Sequence, residues 1–216
     1  MTQPIELYFW PTPNGHKISI ALAEMALPYE VRWVNIGRAE QFEPAFLKLS
    51  PNNRMPAIVD PEGPDGEPIS VFESGAILQY LGRKTGRFHG AGERERVAVE
   101  EWLFWQMANL GPIAGQVNHF LRYAPEDVPY AKKRYVDEVN RLYGVLDERL
   151  ADREFVAGDY SIADMAIWPW ISRFEWQEID LAAFPRVRDW YVRIAERPAV
   201  QKGYQVPKYV NDVPMP

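Results

Sequence analysis

The chain has 216 residues, 47% of them hydrophobic and 25% charged, the mix of a soluble globular protein of one or two small domains. A net charge of −6 and a longest basic run of only Lys132-Lys133-Arg134 exclude a nucleic-acid-binding stripe. There is no cysteine, which removes disulfides, thiolate zinc sites, CxxC chemistry and any cysteine nucleophile supplied by the protein.

Residues 5–10 form a β-rich run closed by Pro11 and Pro13. Residues 16–26 place Ile18, Ala21, Leu22 and Met25 at helical spacing before Pro28. Residues 31–36 read as a second strand and 44–49 as a short helix stopped by Ser50-Pro51. Two further strands, 57–59 and 69–72, flank the turn-rich PEGPDGE, and a helix over 74–84 buries Ile77, Leu78 and Leu81. This order predicts an α/β unit with a mixed sheet over residues 1–86.

After the linker GRFHGAG the periodicity is helical only, which predicts an all-α unit over 93–216. Helices are expected over 93–110, with Val97, Trp102 and Trp105 on the inner stripe and a stop at Gly111-Pro112, and then over 130–150, 162–175 and 187–196. Pro169 is expected to kink the third of these or shift its end. The proline-bearing tail after Pro198 is expected to be extended. No window approaches 18 uninterrupted apolar residues, and MTQPIELYFWPTP lacks the basic start and long apolar core of a leader. The expected address is the cytoplasm, without membrane partners. His16, His89 and His119 are too far apart in sequence for a local metal motif, so no metal is expected.

Four short motifs carry the chemistry. Thr12-Pro13-Asn14-Gly15 joins the first strand to the first helix, with Asn14 as a cap, and presents a hydroxyl and an amide where strand ends open. Met55-Pro56 precedes a strand. A cis bond there would turn the Met55 backbone outward to pair with an extended ligand, and the residues alone leave cis and trans open. Glu73-Ser74 opens a helix whose N–H groups and hydroxyl suit a carboxylate, while Glu73 suits an ammonium; an amino-acid-like head group satisfies both. Ser161-Ile162-Ala163-Asp164 has capping-box spacing and reads as a folding signal.

Taken together, PNNRMPAIVD, FESGAILQYL and YSIADMAIWPW resemble the glutathione transferase superfamily over nearly the whole chain. LYFWPTPNGHK, GRAEQFEPAFLKLSPNNRMPAIVD and LFWQMANLGPIAGQ are similar to its nu class, bacterial glutathione-dependent disulfide-bond reductases. The resemblance implies a thioredoxin-like N-terminal domain, a cis Pro56, an all-helical C-terminal domain and a homodimer. It implies glutathione as co-substrate, with Thr12 and Asn14 beside the sulfur as the catalytic groups. Asn14, Gln41, Met55, Glu73 and Ser74 take up the glutathione binding positions, with Arg54 as a further candidate and Arg134 reaching the ligand from the helical domain. Tyr8 stands two residues out of register with the catalytic tyrosine of other classes and is read as core.

The implied activity is reduction of a small disulfide. A thiol pKa near 8.5 must fall by about two units to give a thiolate at neutral pH, a differential of roughly 2.7 kcal/mol. One alternative is conjugation of glutathione to electrophiles, with an apolar second site lined by Trp10, Phe120, Trp168 and Phe174. The other is a non-catalytic scaffold, against which the joint presence of Asn14, Glu73 and Ser74 counts.

Overall fold

A computed structural model describes residues 3–207 and 212–216. The chain separates into two compact units, Met1–Arg87 with Arg197–Asp212, and Phe88–Glu196 with Val213–Pro216.

The first unit runs β1 (Ile5–Phe9), α1 (Pro13–Glu24), β2 (Tyr29–Trp33), α2 (Pro44–Leu47), β3 (Ala57–Asp60), β4 (Ile69–Phe72) and α3 (Ser74–Thr85). The sheet order is β2-β1-β3-β4. β1 is parallel to β2, with Leu7 opposite Val31, and antiparallel to β3, with Leu7 opposite Ile58. β4 is antiparallel to β3. This is the expected thioredoxin-like arrangement. Alternation puts Ile5, Leu7 and Phe9 in the core and leaves Glu6 and Tyr8 partly exposed. The core is completed by Ile18, Leu22, Ile58, Ile77 and Leu81.

α1 starts three residues earlier than the apolar spacing predicts, because Pro13 has the right fixed φ for a first helical turn and needs no N–H there. The cap is Thr12, whose Oγ1 accepts from the Gly15 N–H at 3.3 Å, and not Asn14, which lies inside the first turn. β2 is also shifted, since its parallel pairing with β1 begins at Tyr29 and ends at Trp33.

The chain after Glu196 departs further from expectation. Pro198 opens α9 (Pro198–Tyr204), with Val200 and Tyr204 buried, where an extended tail was predicted; residues 208–211 of that tail lie outside the described residues. α9 packs on α1, so residues 197–212 group with the α/β unit and not with the helical one. The His16 and Tyr204 rings stack at 4.6 Å, Ser19 Oγ donates to the Gly203 carbonyl at 2.7 Å, and Arg197 donates to both oxygens of Glu24 at 2.6 and 2.9 Å. A first-turn proline is compatible with a helix, which the count of prolines alone conceals. A Cβ on Gly203 would sit 2.6 Å from Ile20 Cα, so the two helices meet backbone to backbone.

In the second unit α4 (Glu93–Trp105) continues through a π turn (Gln106–Leu110) into α5 (Gly111–Asn118) and a second π turn (His119–Tyr123). The predicted stop at Gly111-Pro112 does not occur, because the π turn shifts the hydrogen-bond ladder just before the proline that lacks an N–H. The inner stripe is Val99, Leu103, Gln106 and Leu110 and not the predicted one; Trp102 and Trp105 are half-buried and Val97 is exposed. α6 (Pro129–Arg149), α7 (Ile162–Ile171) and α8 (Pro185–Ala195) complete the unit. α7 contains Pro169 and ends two residues after it.

Asp164 holds this unit's core together. Its carboxylate, fully buried, accepts from Ser161 N (3.0 Å), Ser161 Oγ (3.2 Å), Val156 N (3.1 Å) and Trp190 Nε1 (2.9 Å). Burial pushes its pKa up to about 6 against the pull of these donors.

Gly203→Ala should lower thermal stability by about 2 kcal/mol through overpacking against Ile20. Asp164 binds its proton more tightly folded than unfolded, so its contribution to stability is full below pH 4 and declines as pH rises to about 6. Urea denaturation of the wild type should show that decline, of order 3 kcal/mol, relative to Asp164→Asn. Asp164→Ala, which orphans buried donors, should destabilise at every pH.

Candidate functional site

Three segments of the α/β unit are drawn together by their side chains. The first is the β1–α1 corner. A Cβ on Gly15 would lie 2.3 Å from the Trp10 carbonyl oxygen and 3.0 Å from the Phe9 ring, so only glycine lets α1 start this close to the end of β1. Thr12 caps α1 there, and the half-buried Asn14 follows in the first turn at the positive end of the helix.

The second segment is the turn before β3. Met55-Pro56 is cis, as the resemblance implies. Thr12 Oγ1 donates to Met55 Sδ at 3.7 Å, which ties the corner to this turn. Ser50 Oγ donates to the Arg54 carbonyl at 2.7 Å, while the exposed Arg54 guanidinium reaches Asn53 Oδ1 at 2.9 Å.

The third segment is the start of α3. Glu73 is its N-terminal flanking residue, with φ 67° and ψ 117°, a backbone conformation that L residues rarely adopt and that commonly marks a functional position. Its exposed carboxylate makes no hydrogen bond among the described residues. Ser74 is 6% exposed, and its Oγ accepts from Lys17 Nζ on α1 at 3.3 Å. Lys17 is absent from the sequence-derived set. Its signal is its place on the stripe of Ile18, Ala21 and Leu22, where a lysine ordinarily reads as a surface residue. Burial pushes its pKa down to about 7, and the nearby Glu73 opposes that shift.

Gln41 sits in a short 3-10 turn, half-buried, and its buried Oε1 accepts from no donor among the described residues. Tyr8 packs beside Val34, Phe46 and Ala57. Its hydroxyl donates to Glu6 at 3.2 Å, and burial, with Glu6, raises its pKa, so it is not poised as an acid.

In the helical unit Arg134 lines a cavity of about 590 Å³ with Ile113, Tyr130, Lys133, Tyr135 and Glu138. Lys132, Lys133 and Arg141 are ion-paired with Asp127, Asp137 and Glu138, whereas Arg134 has no ion pair among the described residues. Phe120 is stacked on Tyr135 with ring centroids 5.5 Å apart. Of the other residues suggested for an apolar second site, Trp168 and Phe174 are core. Trp168 Nε1 donates to the Tyr191 carbonyl at 3.1 Å. Trp10 is half-buried in the first unit against Trp33. Among the described residues no cluster of histidines and carboxylates has metal-binding geometry, and no helix is long and apolar enough to cross a membrane.

The arrangement offers a hydroxyl, an amide and a helix N-terminus at one corner, and a hydroxyl, a carboxylate and a second helix N-terminus at α3. Known proteins are similar to the chain in sequence and fold. The model of the glutathione S-transferase N-terminal domain matches residues 3–83 and that of the C-terminal domain residues 116–198. The disulfide-bond oxidoreductase YfcG of Escherichia coli is 53% identical over 197 residues, 90% of this chain and 92% of that protein. A Pseudomonas putida glutathione transferase, solved with one glutathione disulfide per subunit, aligns with a TM-score of 0.91 at 42% identity, covering 94% of this chain and 92% of that one. A Burkholderia graminis glutathione transferase with two glutathione molecules per subunit aligns with a TM-score of 0.91 at 41% identity, covering 96% and 90%. With both halves matched and a relative this similar along nine-tenths of its length, the chain belongs to the glutathione S-transferase family.

Proposed function

We propose that this chain is a glutathione-dependent disulfide-bond reductase of the nu class, a cytoplasmic homodimer that reduces a small disulfide with sulfur supplied by glutathione alone. One observation carries the reading: a chain with no cysteine, in which the β1–α1 corner, the turn before β3 and the start of α3 are tied by Thr12–Met55 and Lys17–Ser74 hydrogen bonds, must take its sulfur chemistry from a bound thiol. The name of the E. coli relative and the glutathione disulfide in the P. putida structure support the same chemistry.

Thr12 and Asn14, at the N-terminus of α1, stabilise one glutathione as a thiolate. That thiolate attacks the substrate disulfide, forms a mixed disulfide and releases the first substrate thiolate. A second glutathione thiolate attacks the glutathione sulfur of the mixed disulfide and releases the second substrate thiolate. Two glutathiones are thereby oxidised to one disulfide, two protons pass to the products, and the substrate is reduced to two thiols. Ser74 and the N–H groups of α3 take the γ-glutamyl carboxylate and Glu73 its ammonium. The Met55 backbone pairs with the central residue. Gln41 and Arg54 complete the site, and Arg134 neutralises a ligand carboxylate. For the dimer, Val97 and Phe104 lie seven residues apart on α4 and are 46% and 60% exposed, an apolar pair suited to a partner helix.

Turnover of a symmetrical dialkyl disulfide with glutathione is the direct test. Activity with a chloronitroarene but none with disulfides would assign conjugation instead. Asn14→Ala should lower kcat at least tenfold while the KM for glutathione changes less than about threefold, because the amide acts on charge at sulfur. Ser74→Ala should do the reverse, raising KM about tenfold through loss of a hydrogen bond to a charged group. Sedimentation at micromolar concentration should give about twice the 25.0 kDa chain mass.

A further inference from the structure

Within the α/β unit, the loop after β2 and the short helix α2 enclose a cavity of about 140 Å³ that the chemistry assigned so far does not use. Three rings line it: Tyr8 of β1, Trp33 at the end of β2 and Phe46 of α2. The Tyr8 and Phe46 rings are 6.0 Å apart and tilted by 44°, and Trp33 meets Trp10 edge-on at 5.3 Å, so packing fixes the walls. Glu40 and Glu43 line the same cavity, and among the described residues no lysine, arginine or histidine does.

The two carboxylates are held differently. Glu40 Oε2 accepts from the Asn35 N–H at 2.6 Å, which pins it to the loop. Glu43 flanks α2 without capping it, and its carboxylate has no hydrogen bond or ion pair among the described residues. Two like charges around one small space repel each other and exclude an anion. A neutral apolar group would strip water from them and return nothing. Calcium takes about six to eight oxygen ligands, which walls made largely of rings do not offer. A cation with an apolar surface satisfies both kinds of wall: carboxylates and ring faces attract its charge, and its alkyl groups pack on the rings. The volume is below the ~300 Å³ at which pockets begin to hold drug-sized ligands, so it suits a head group.

We propose that this cavity binds a small alkylammonium group, with Tyr8, Trp33 and Phe46 as an aromatic cage and Glu40 and Glu43 as the counter-charge. The proposal is independent of the glutathione reading, since no residue assigned to glutathione lines the cavity.

The experiment titrates the full chain with tetramethylammonium chloride at constant ionic strength, made up with sodium chloride. It follows the backbone amide resonance of Val34, which also lines the cavity and is present in every variant. The shift should saturate, with a Kd in the millimolar range, and tert-butanol, a neutral molecule of similar shape, should produce none. Glu40→Gln and Glu43→Gln should each weaken binding about threefold and together about tenfold. Glutamine keeps the size of glutamate and, at position 40, an acceptor for the Asn35 N–H. Trp33→Leu should weaken binding at least about threefold. A shift that rises without saturating would overturn the assignment. So would one that tert-butanol reproduces, which would make the cavity an apolar niche. Binding of wild-type strength in the double glutamine variant, or in Trp33→Leu, would overturn it as well. If the amide spectrum shows that Trp33→Leu does not fold, the glutamine variants decide alone.

Discussion

The start of α1 rests against the end of β1 with no space for a side chain at Gly15, and the geometry of the α/β unit is set by that approach. Because the Trp10 carbonyl oxygen lies where a Cβ would be, the helix must leave the strand in a single tight corner. The corner puts Thr12 in reach of both the Gly15 N–H and the Met55 thioether. One turn further on, it buries Lys17 beneath the first residue of α3. Three segments distant in sequence are thus indexed to one backbone contact, and the polar groups of the candidate site inherit their spacing from it.

Two buried ionisable groups show how the same desolvation cost is put to different uses. Asp164 accepts four hydrogen bonds from its own unit, including the capping-box pair with Ser161 and the indole of Trp190. Its oxygens are consumed by the fold, and its role is to lock α7 and α8 together. Lys17 is bonded to a hydroxyl, which can accept and donate at once. Lys17 thereby ties α1 to the first residue of α3 within the α/β unit.

Much of this was legible from residue patterns. β1 and β4 stand where alternation and turn residues place them, and the ends of α3 follow from Glu73-Ser74 and Gly86. The capping box of α7 forms as its spacing implies. What failed did so for local reasons. The bulky apolar residues Val97, Trp102 and Trp105 suggested an inner stripe for α4, but the buried stripe is Val99, Leu103 and Gln106, and the π turn at Gln106–Leu110 carried the helix past its expected stop. Proline density suggested an extended tail, although Pro198 sits in the first turn of α9, where proline is tolerated. Asn14 read as a cap because its type favours that position, but the phase was set by Pro13, which hands the cap to Thr12. Lys17 was invisible for a different reason: nothing in a lysine's neighbours along the chain reveals a serine 57 positions away.

The hydrogen bonds of Thr12 bear on how a protein without cysteine activates a borrowed thiol. Its Oγ1 accepts from the Gly15 N–H and donates to Met55 Sδ at 3.7 Å. A thioether is a weak acceptor, so this donor is held in place at little energetic depth. On the proposed function, an arriving thiolate is a far stronger acceptor, and the Thr12 proton exchanges one sulfur for another with only a small rotation. A neutral thiol offers no such gain. The exchange therefore stabilises the charged form selectively, which is the condition for lowering a pKa. On the same proposal, the Asn14 amide and the N-terminal N–H groups of α1 also favour negative charge at sulfur. A donor parked on a weak acceptor costs less to redirect than one bound to a carbonyl, and the position of Met55 opposite the α1 cap gives the corner that property.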